Sequence, residues 1–444
     1  MRRVAVLAAL VAACVLAHAA PAALGQPAPL AGPGGTSLNK VLVIGTDGTR
    51  WDLLEAAMKA GRAPNLARLR REGFGRPSLL EFAPETITLS EVGWSSIASG
   101  VWEDKHGVDG TKLNMDPGQA TKNGYLDFLT RIENRRERLS TFLASDWDNI
   151  GLAENGGPIF GTARDANFAA RVAVETIDAW DQGDEQVTGA ATRYLRRGDP
   201  DAGFVYLGLV DETAHLAGSA TPTYSAAITT TDARIGRLLR AIRSRPSRPF
   251  ETWTIIVTTD HGQKPLSEPS LITHFGDTKL ERTSFLLGSG PGLGRSVSRP
   301  RVVDILPTVL HQLGLRTASS WKLDGRSLSG ARPPASATAA LRGRGSVKRL
   351  VARLKLGARP RGVRKVSFRL PAGVSASGVL VRVNGRPVSG VRVAGRTAVA
   401  SVGAGALTSL SVVAPAAGKA GGALRVTLRG RGKKLGTLAI PIRP

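Results

Sequence analysis

The sequence predicts an α/β domain with a doubly wound, mostly parallel sheet, followed by a small all-β C-terminal domain. Short apolar runs typical of buried strands predict the sheet, at 40–46, 203–210, 253–259 and 283–289. Amphipathic patterns alternate with these runs and predict helices on both faces of the sheet, at 64–71, 166–180, 224–242 and 303–313. After residue 343, apolar and polar residues alternate between Gly, Pro and Asn-Gly turns, which indicates antiparallel strands in a sandwich.

The start of the chain is typical of an exported protein. We expect a secretory signal peptide over 1–26, with an apolar run over 4–17 and an A-x-A pattern, and then a flexible lead-in over 27–37. The run is shorter than the ~20 apolar residues of a membrane span. The predicted protein is therefore secreted, periplasmic or held at the cell envelope, without a transmembrane span. Cys14, the only cysteine, lies in the signal, and its lipidation remains an open alternative.

Positive charge is concentrated in the C-terminal part of the chain. The net charge is +25, yet residues 341–444 hold 22 of the 60 Lys and Arg and no Asp or Glu. We expect a catalytic domain over 38–330, a linker over 331–343 and a basic β-rich domain over 344–444. This domain would bind an anionic cell-envelope polymer or lipid headgroups, or it is an ordinary soluble domain. Phe368 is the only aromatic residue of the tail, so nucleic acid is not expected as its main partner.

Three of the predicted strands end in side chains that suit divalent metal ions. These side chains are Asp47 after the first strand, Asp211 and His215 after the second, Asp260 and His261 after the third, and His274 in a following loop. The carboxyl ends of the strands of a doubly wound sheet line one crevice, so these residues should converge. Asp and neutral His favour zinc, although manganese, iron or calcium could occupy one site.

Ser90 is the candidate nucleophile. It stands at a turn that enters a short helix ending at Gly100, and a helix start favours a phosphate group. A serine hydroxyl needs a base or a metal ion to become a good nucleophile. Two neighbouring metal ions could also stabilise the attacking and leaving oxygens of an in-line displacement. Thr88 is the alternative nucleophile, and a helix N-cap is the structural alternative for Ser90.

Several residues near these motifs have structural interpretations. Trp94 and Trp102 are expected in the core rather than stacked on a substrate. His106, in a K-H-G turn, is expected to support the fold or the residues around the metals. Asp304 is expected at a helix start.

The chain resembles the alkaline phosphatase superfamily over roughly residues 38–330, nearest to type I phosphodiesterases and nucleotide pyrophosphatases. The segments that carry the resemblance include V-L-V-I-G-T-D-G-T-R, S-E-V-G-W-S-S-I-A-S-G-V-W-E-D-K-H-G-V, D-E-T-A-H, T-T-D-H-G-Q and H-F-G-D. The resemblance implies a hydrolase of phosphoric esters that works through a phosphoserine at Ser90. It also implies two metal ions, one held by Asp211, His215 and His274 and the other by Asp47, Asp260 and His261 beside Ser90.

The sequence departs from the family pattern in two places. Nucleotide pyrophosphatases usually carry threonine where Ser90 stands, and Thr111 occupies the place of a phosphate-binding asparagine. Asn114, three residues later, is the candidate for this substrate-binding role. Ser90 is not followed by the x-P-x-R that sulfatases need, so sulfatase activity is not expected. An envelope phosphotransferase with the same site and a non-catalytic protein that binds an anionic envelope remain the alternatives.

Overall fold

The computed structural model describes residues 37–80, 87–110, 114–135, 139–151, 158–161, 164–330, 335–344, 347–357, 359–403, 405–416 and 422–442. The predicted signal peptide, with Cys14, and the lead-in up to residue 36 lie outside the described residues. Within the described ranges, no helix is both long enough and apolar enough to cross a membrane.

Seven strands of the first 290 residues form one sheet. They are β1 (Asn39–Thr46), β2 (Phe74–Leu79), β3 (Thr141–Ser145), β4 (Ala166–Ala169), β5 (Ala202–Leu207), β6 (Thr252–Thr258) and β7 (Thr283–Ser289). Their order is β2-β7-β6-β1-β5-β3-β4, and only β7 pairs in an antiparallel manner, with β6 and β2. The predicted mostly parallel sheet is therefore confirmed.

Helices cover both faces of the sheet because its central strands are apolar on both sides. Leu42 and Ile44 of β1 pack into one core, and Val41 and Val43 pack into the other. The first core also receives α1 (Trp51–Lys59), α2 (Pro64–Glu72), α8 (Ile177–Arg197), α9 (Leu209–Ala217) and α10 (Pro222–Arg243). The second receives α3 (Ser90–Ser99), α6 (Phe128–Arg135), α7 (Asp148–Gly151) and α11 (Ile305–Gln312). The short helices α4 (Glu103–His106) and α5 (Gln119–Lys122) lie between α3 and α6 in sequence.

Two of the sequence-based boundaries are wrong. Residues 166–169, predicted as the start of a helix, form the edge strand β4, and α8 begins only at Ile177, where the Thr176 hydroxyl accepts a hydrogen bond from Ala179 N. The apolar run 203–210 ends as a strand at Leu207, because Leu209 and Val210 already belong to α9. Both errors place a boundary inside an apolar run, where periodicity alone does not separate strand from helix.

The described part of the C-terminal region forms a sandwich of two five-stranded antiparallel sheets. The first sheet has the order β13-β14-β10-β16-β17 and the second the order β12-β11-β15-β9-β8. The strands are β8 (Ser336–Arg344), β9 (Val347–Lys355), β10 (Lys365–Arg369), β11 (Leu380–Val383), β12 (Arg386–Pro387), β13 (Arg392–Ala394), β14 (Thr397–Ser401), β15 (Ser409–Ala416), β16 (Ala423–Arg429) and β17 (Lys434–Pro441). Alternate residues of each sheet fill one shared apolar core.

Most of the predicted linker over 331–343 belongs to a strand, and its residues 331–334 lie outside the described residues. Residues 336–344 form β8, which pairs along its whole length with β9. The Ala/Ser composition of this segment suggested a linker, but small residues also suit a strand at the edge of a sandwich. Leu38 and Phe250 of the α/β part lie in the core of the sandwich, and Thr437 N donates to Pro246 O at 2.9 Å. The two parts of the chain are therefore packed together.

Candidate active site

The six predicted metal ligands converge at the carboxyl end of the central strands. Asp47 follows β1 directly, Asp260 and His261 follow β6, and Asp211 and His215 lie one turn apart on α9. Each of them except His215 is buried to more than nine-tenths, and His274 reaches the same place from the loop before β7. The convergence follows from the rule that the carboxyl ends of the strands in a doubly wound sheet line one crevice.

The ligand atoms form two overlapping groups. Asp211, His215 and His274 present ligand atoms within 4.8 Å of one another, and so do Asp47, Asp211 and His261. In the first group, His215 Nε2 is 3.3 Å from Asp211 Oδ2 and 3.2 Å from His274 Nε2. Asp211 thus belongs to both groups, whereas the sequence suggested only the first.

Asp260 lies next to the second group, in contact with His261. His261 Nε2 lies 3.6 Å from Asp47 Oδ1 and 3.2 Å from Asp260 Oδ2. The rings of His261 and His274 stack with their centroids 3.7 Å apart, so the two groups adjoin.

Backbone carbonyl groups fix the orientation of all three histidines. Nδ1 of His215 faces Ser270 O at 3.2 Å, Nδ1 of His261 faces Gly262 O at 3.0 Å, and Nδ1 of His274 faces Thr88 O at 2.5 Å. A carbonyl oxygen only accepts hydrogen bonds, so each Nδ1 carries the proton. The Nε2 atoms are thereby left to face the site, and a histidine binds a metal ion through such a nitrogen once it is unprotonated.

In Asp47 and in Asp260, one carboxylate oxygen accepts hydrogen bonds and the other has no hydrogen-bond partner among the described residues. Asp47 Oδ2 accepts hydrogen bonds from Trp94 Nε1 (2.8 Å) and the Tyr206 hydroxyl (2.5 Å), and Asp260 Oδ1 accepts from Gly48 N (3.3 Å). Their other oxygens, Asp47 Oδ1 and Asp260 Oδ2, are buried without a hydrogen-bond partner among the described residues. A buried carboxylate oxygen with no donor is costly unless a cation binds it.

Gln263 holds the shared carboxylate, since its Nε2 donates to Asp211 Oδ1. The sequence assigned no role to Gln263 or Tyr206 and placed Trp94 in the core. Trp94 is indeed buried there, but it also donates to a predicted ligand. The position of Gln263 directly after T-T-D-H-G was the only signal for its role.

The electrostatics of the site also favour a bound cation. Burial and the neighbouring Asp211 raise the pKa of Asp47, and burial and Asp47 raise the pKa of Asp260 well above the usual range. Burial would raise the pKa of Asp211, but His215 and His274 hold it below its usual value. Burial would lower the pKa of His215, but Asp211 raises it to about 9. Positive charge placed among these groups would keep all three carboxylates ionised.

The residues present therefore fit divalent metal ions. The set combines histidine nitrogens and carboxylate oxygens, which zinc and related ions prefer. Two of its buried oxygens, on Asp47 and Asp260, have no hydrogen-bond partner in the described part of the protein.

Ser90 lies beside this set of ligands. It is the first residue of α3, and its Oγ is 3.2 Å from His261 Nε2. The helix approaches Asp260 closely, because a Cβ atom on Gly93 would lie only 2.7 Å from Asp260 Cβ. Thr88 is buried, and its Oγ1 has no hydrogen-bond partner in the described ranges. The assignment of Ser90 rather than Thr88 as the nucleophile stays a prediction.

Asn114 stands in a turn. It pairs with Asp109 through two backbone hydrogen bonds, and its side-chain Nδ2 donates to Gly107 O at 2.6 Å. The amide nitrogen is thus used within the turn, and the substrate-binding role of Asn114 stays a prediction. Asp304 accepts from Arg301 N at 2.9 Å at the start of the helical segment, as expected.

His106 supports the helix that carries Ser90. Its Nδ1 accepts from Val108 N at 3.1 Å, so its Nε2 carries the proton and donates to Ser96 Oγ at 2.9 Å. The Ser96 hydroxyl in turn donates to Val92 O at 3.1 Å. This chain of hydrogen bonds confirms that His106 lies near α3 in a structural position.

Residues 41–298 match the family model for type I phosphodiesterase / nucleotide pyrophosphatase. No curated protein matches the chain in sequence. Similar solved structures include murine ectonucleotide pyrophosphatase / phosphodiesterase 5, which is 14% identical with a TM-score of 0.44 over 64% of this chain and 98% of that chain. A putative sulfatase from Bacteroides thetaiotaomicron is 12% identical with a TM-score of 0.48 over 73% and 82% of the two chains. Phosphonoacetate hydrolase from Sinorhizobium meliloti is 18% identical with a TM-score of 0.37 over 56% and 61%.

The family match extends over more than half of the chain and includes the β1, α3, α9 and β6 segments that supply Asp47, Ser90, Asp211, Asp260 and His261. The chain therefore belongs to the type I phosphodiesterase / nucleotide pyrophosphatase family of the alkaline phosphatase superfamily, and it is a hydrolase that acts on phosphoric ester bonds.

Proposed function

We propose that this protein is an extracytoplasmic phosphodiesterase or phosphatase with two divalent metal ions, zinc by the nature of its ligands, and a phosphoserine intermediate on Ser90. The observation that supports the proposal most directly is the position of Ser90 Oγ, 3.2 Å from His261 Nε2, a member of one of the two groups, with five side chains in all, that could hold metal ions. A hydroxyl in this position can be ionised and aimed at a phosphorus atom.

In this proposal, Asp211, His215 and His274 hold one ion, and Asp47, Asp260 and His261 hold the other, with Asp211 close to both. When bound, the ions would act as Lewis acids on the phosphoryl oxygens and on the Ser90 hydroxyl.

Ser90 would lose its proton and attack phosphorus, and the ester oxygen would leave with its substituent and take up a proton. Water would then cleave the bond to Ser90, which releases phosphate from a monoester substrate or a phosphate monoester from a diester substrate. The positive end of the α3 dipole lies at Ser90 and favours the negative charge of the phosphoryl group.

Hydrolysis of bis-p-nitrophenyl phosphate and of p-nitrophenyl phosphate tests the reaction. We expect turnover by the full chain that a chelator abolishes and that added zinc restores. The ratio of the two rates assigns the protein to the diesterases or to the monoesterases. Release of p-nitrophenol that rises with an added acceptor alcohol would instead indicate a phosphotransferase. Absence of both turnover and bound metal would refute the proposal.

We also propose that the chain is exported and that its basic C-terminal domain contacts an anionic component of the cell envelope. The apolar run over 4–17 and the 22 cations without a carboxylate over 341–444 support this location and partner. Amino-terminal sequencing of the protein recovered from the envelope or medium tests the export. A protein that retains residues 1–26 in the cytoplasm would contradict it.

A further inference from the structure

The outer surface of the sheet β13-β14-β10-β16-β17 carries cations in rows. Lys365 of β10 lies directly opposite Arg429 of β16, and Arg429 in turn pairs with Lys434 of β17. Four residues further along β10, Arg369 lies directly opposite Arg425. All five side chains are exposed, while Val366 and Phe368 of β10 and Val426 and Leu428 of β16 point into the sandwich core. We call the surface formed by these five residues and Arg396 the cationic face.

This arrangement is unfavourable in the protein alone. Like charges directly opposite one another on neighbouring strands destabilise a sheet. Residues 341–444 contain no Asp or Glu that could compensate them. In the described ranges, none of the observed ion pairs involves a residue of the cationic face. The face therefore carries positive charge that no described carboxylate compensates, and a bound anion would reduce the repulsion within it.

One end of the face is concave. Arg369, Arg425 and Arg396, the last in the turn between β13 and β14, line a cavity of about 360 Å³ together with Pro371 and Ala423. Guanidinium groups bind phosphate through paired, planar hydrogen bonds, so a concavity lined by three arginines suits a phosphate group.

A row of hydroxyl groups separates the two rows of cations. Ser367 lies opposite Thr427, and Thr427 Oγ1 is 3.2 Å from Thr437 Oγ1 on the next strand. Lys365 and Arg369 are four residues apart in sequence, which corresponds to about 13 Å along the strand. A ligand that meets both rows must therefore carry anionic groups over at least this length, with polar atoms between them.

The surface favours a linear polymer over a bilayer or a nucleic acid. Leu380 and Val393 are the large exposed apolar residues of the described part of the sandwich, and neither stands in a cation row, so the face offers no group for insertion into lipid. The one aromatic residue of the tail, Phe368, is buried in the core and cannot stack on a base.

We propose that the cationic face binds a linear polyanion of repeating phosphate groups, with one phosphate between Arg369, Arg396 and Arg425 and a further one at Lys365, Arg429 and Lys434. This proposal rests on the proposed function in one respect only, namely that the chain contacts an anionic partner. It does not depend on the metal site or on Ser90, because the face belongs to the C-terminal sandwich.

Binding of the full chain to long-chain inorganic polyphosphate tests this inference. The triple variant Arg369→Gln/Arg396→Gln/Arg425→Gln is compared with Arg342→Gln/Arg349→Gln/Arg353→Gln, which removes the same charge from the outer surface of the other sheet. We expect the first variant to lose at least about tenfold in affinity and the control to stay within about twofold. The slope of log Kd against log salt concentration should also decrease by about two to three, and only for the first variant.

Three results would overturn the inference. Equal losses in both variants would indicate attraction by net charge alone, and an unchanged affinity in the first variant would remove the face from binding. Tighter binding to anionic phospholipid vesicles than to polyphosphate, with the same dependence on Arg369, would assign the face to a membrane surface. Unfolding temperatures of both variants control for folding, and Arg369→Gln alone repeats the test with a single exposed substitution. Because these readouts are binding constants, they remain valid even if turnover of phosphate esters is absent.

Discussion

Trp94 Nε1 and Asp47 Oδ2 are joined by a 2.8 Å hydrogen bond between two fully buried residues. Trp94 lies on the same helix as Ser90, one turn further on, and Asp47 is the first residue after β1. Tyr206 packs edge-on against the Trp94 ring at 5.4 Å and donates to the same carboxylate oxygen. The candidate nucleophile and a predicted metal ligand are thus positioned by one side chain.

Replacement of Trp94 by Phe should weaken the site without removing a ligand. The ring would still fill most of its space, but Asp47 would lose one of the donors that orient it. Loss of such a supporting hydrogen bond typically costs 10–100-fold in metal affinity or activity. Metal titration of Trp94→Phe against Trp102→Phe, a change at a partly buried tryptophan outside this contact, measures the effect. Equal metal affinities in the two variants would contradict the positioning role.

Replacement of Ser90 by Ala should abolish turnover while the metal content stays the same. The lost hydroxyl is the proposed attacking group, so we expect a decrease in kcat of at least about 10³-fold. Thr88→Val, which removes the other candidate hydroxyl at nearly constant volume, should retain turnover. Steady-state kinetics and elemental analysis of both variants check this. The opposite pattern of losses would move the nucleophile to Thr88.

Removal of the metal ions should destabilise the fold as well as stop the reaction. Without a cation, Asp47 Oδ1 and Asp260 Oδ2 are buried and accept no hydrogen bond from the part of the chain that the structure describes. Ions at a concentration well above their Kd should therefore raise the unfolding temperature by roughly 5 °C or more. Thermal unfolding with and without a chelator measures the shift.

Asp260→Asn should lower both the metal content and the change in unfolding temperature that the chelator causes. Asp178→Asn, at an exposed position, should change neither. Full metal content in Asp260→Asn would exclude Asp260 as a ligand.

His106 should make the stability of the protein depend on pH in the acidic range. Burial lowers the pKa of His106 from 6.5 to about 3. The unfolded chain therefore takes up this proton near pH 6.5, while the folded chain resists it until about pH 3, so stability falls as the pH falls through this window. Over the whole window, the loss in the free energy of unfolding from His106 is on the order of 5 kcal/mol.

Urea unfolding of the wild type and of His106→Gln between pH 7 and pH 4 measures this contribution. The free energy of unfolding of the variant should vary less steeply over that range. Parallel curves for the two proteins would show that His106 does not titrate in this way.

The ligands were predictable because topology decides where they meet. Asp47 and Asp260 each follow an apolar run that is long enough for a buried strand, and parallel strands bring such residues to one edge. The spacing of Asp211 and His215 matched one helical turn, and α9 places both on the same side.

The supporting contacts were not predictable, because they belong to residues that look like core. Trp94 and Tyr206 lie in apolar segments, and only the three-dimensional packing reveals that each carries a donor to Asp47. The same reason explains the misplaced start of α8, since the pattern over 166–180 suits partial burial in a strand as well as in a helix. Asp211 belongs to both ligand groups because of distances between side-chain atoms, and these distances cannot be read from the spacing of residues in the sequence.

The packing of the sandwich against the α/β part has a consequence for how such chains can change over evolution. Asn39 and Ala335 exchange two hydrogen bonds, and Leu38 and Phe250 lie in the core that the sandwich completes. A recombination event that replaced the tail would expose these apolar surfaces and break these bonds, unless the new tail reproduced the same contacts. The two parts are therefore expected to be inherited together, with substitutions at Leu38 and Phe250 matched by compensating changes in the sandwich.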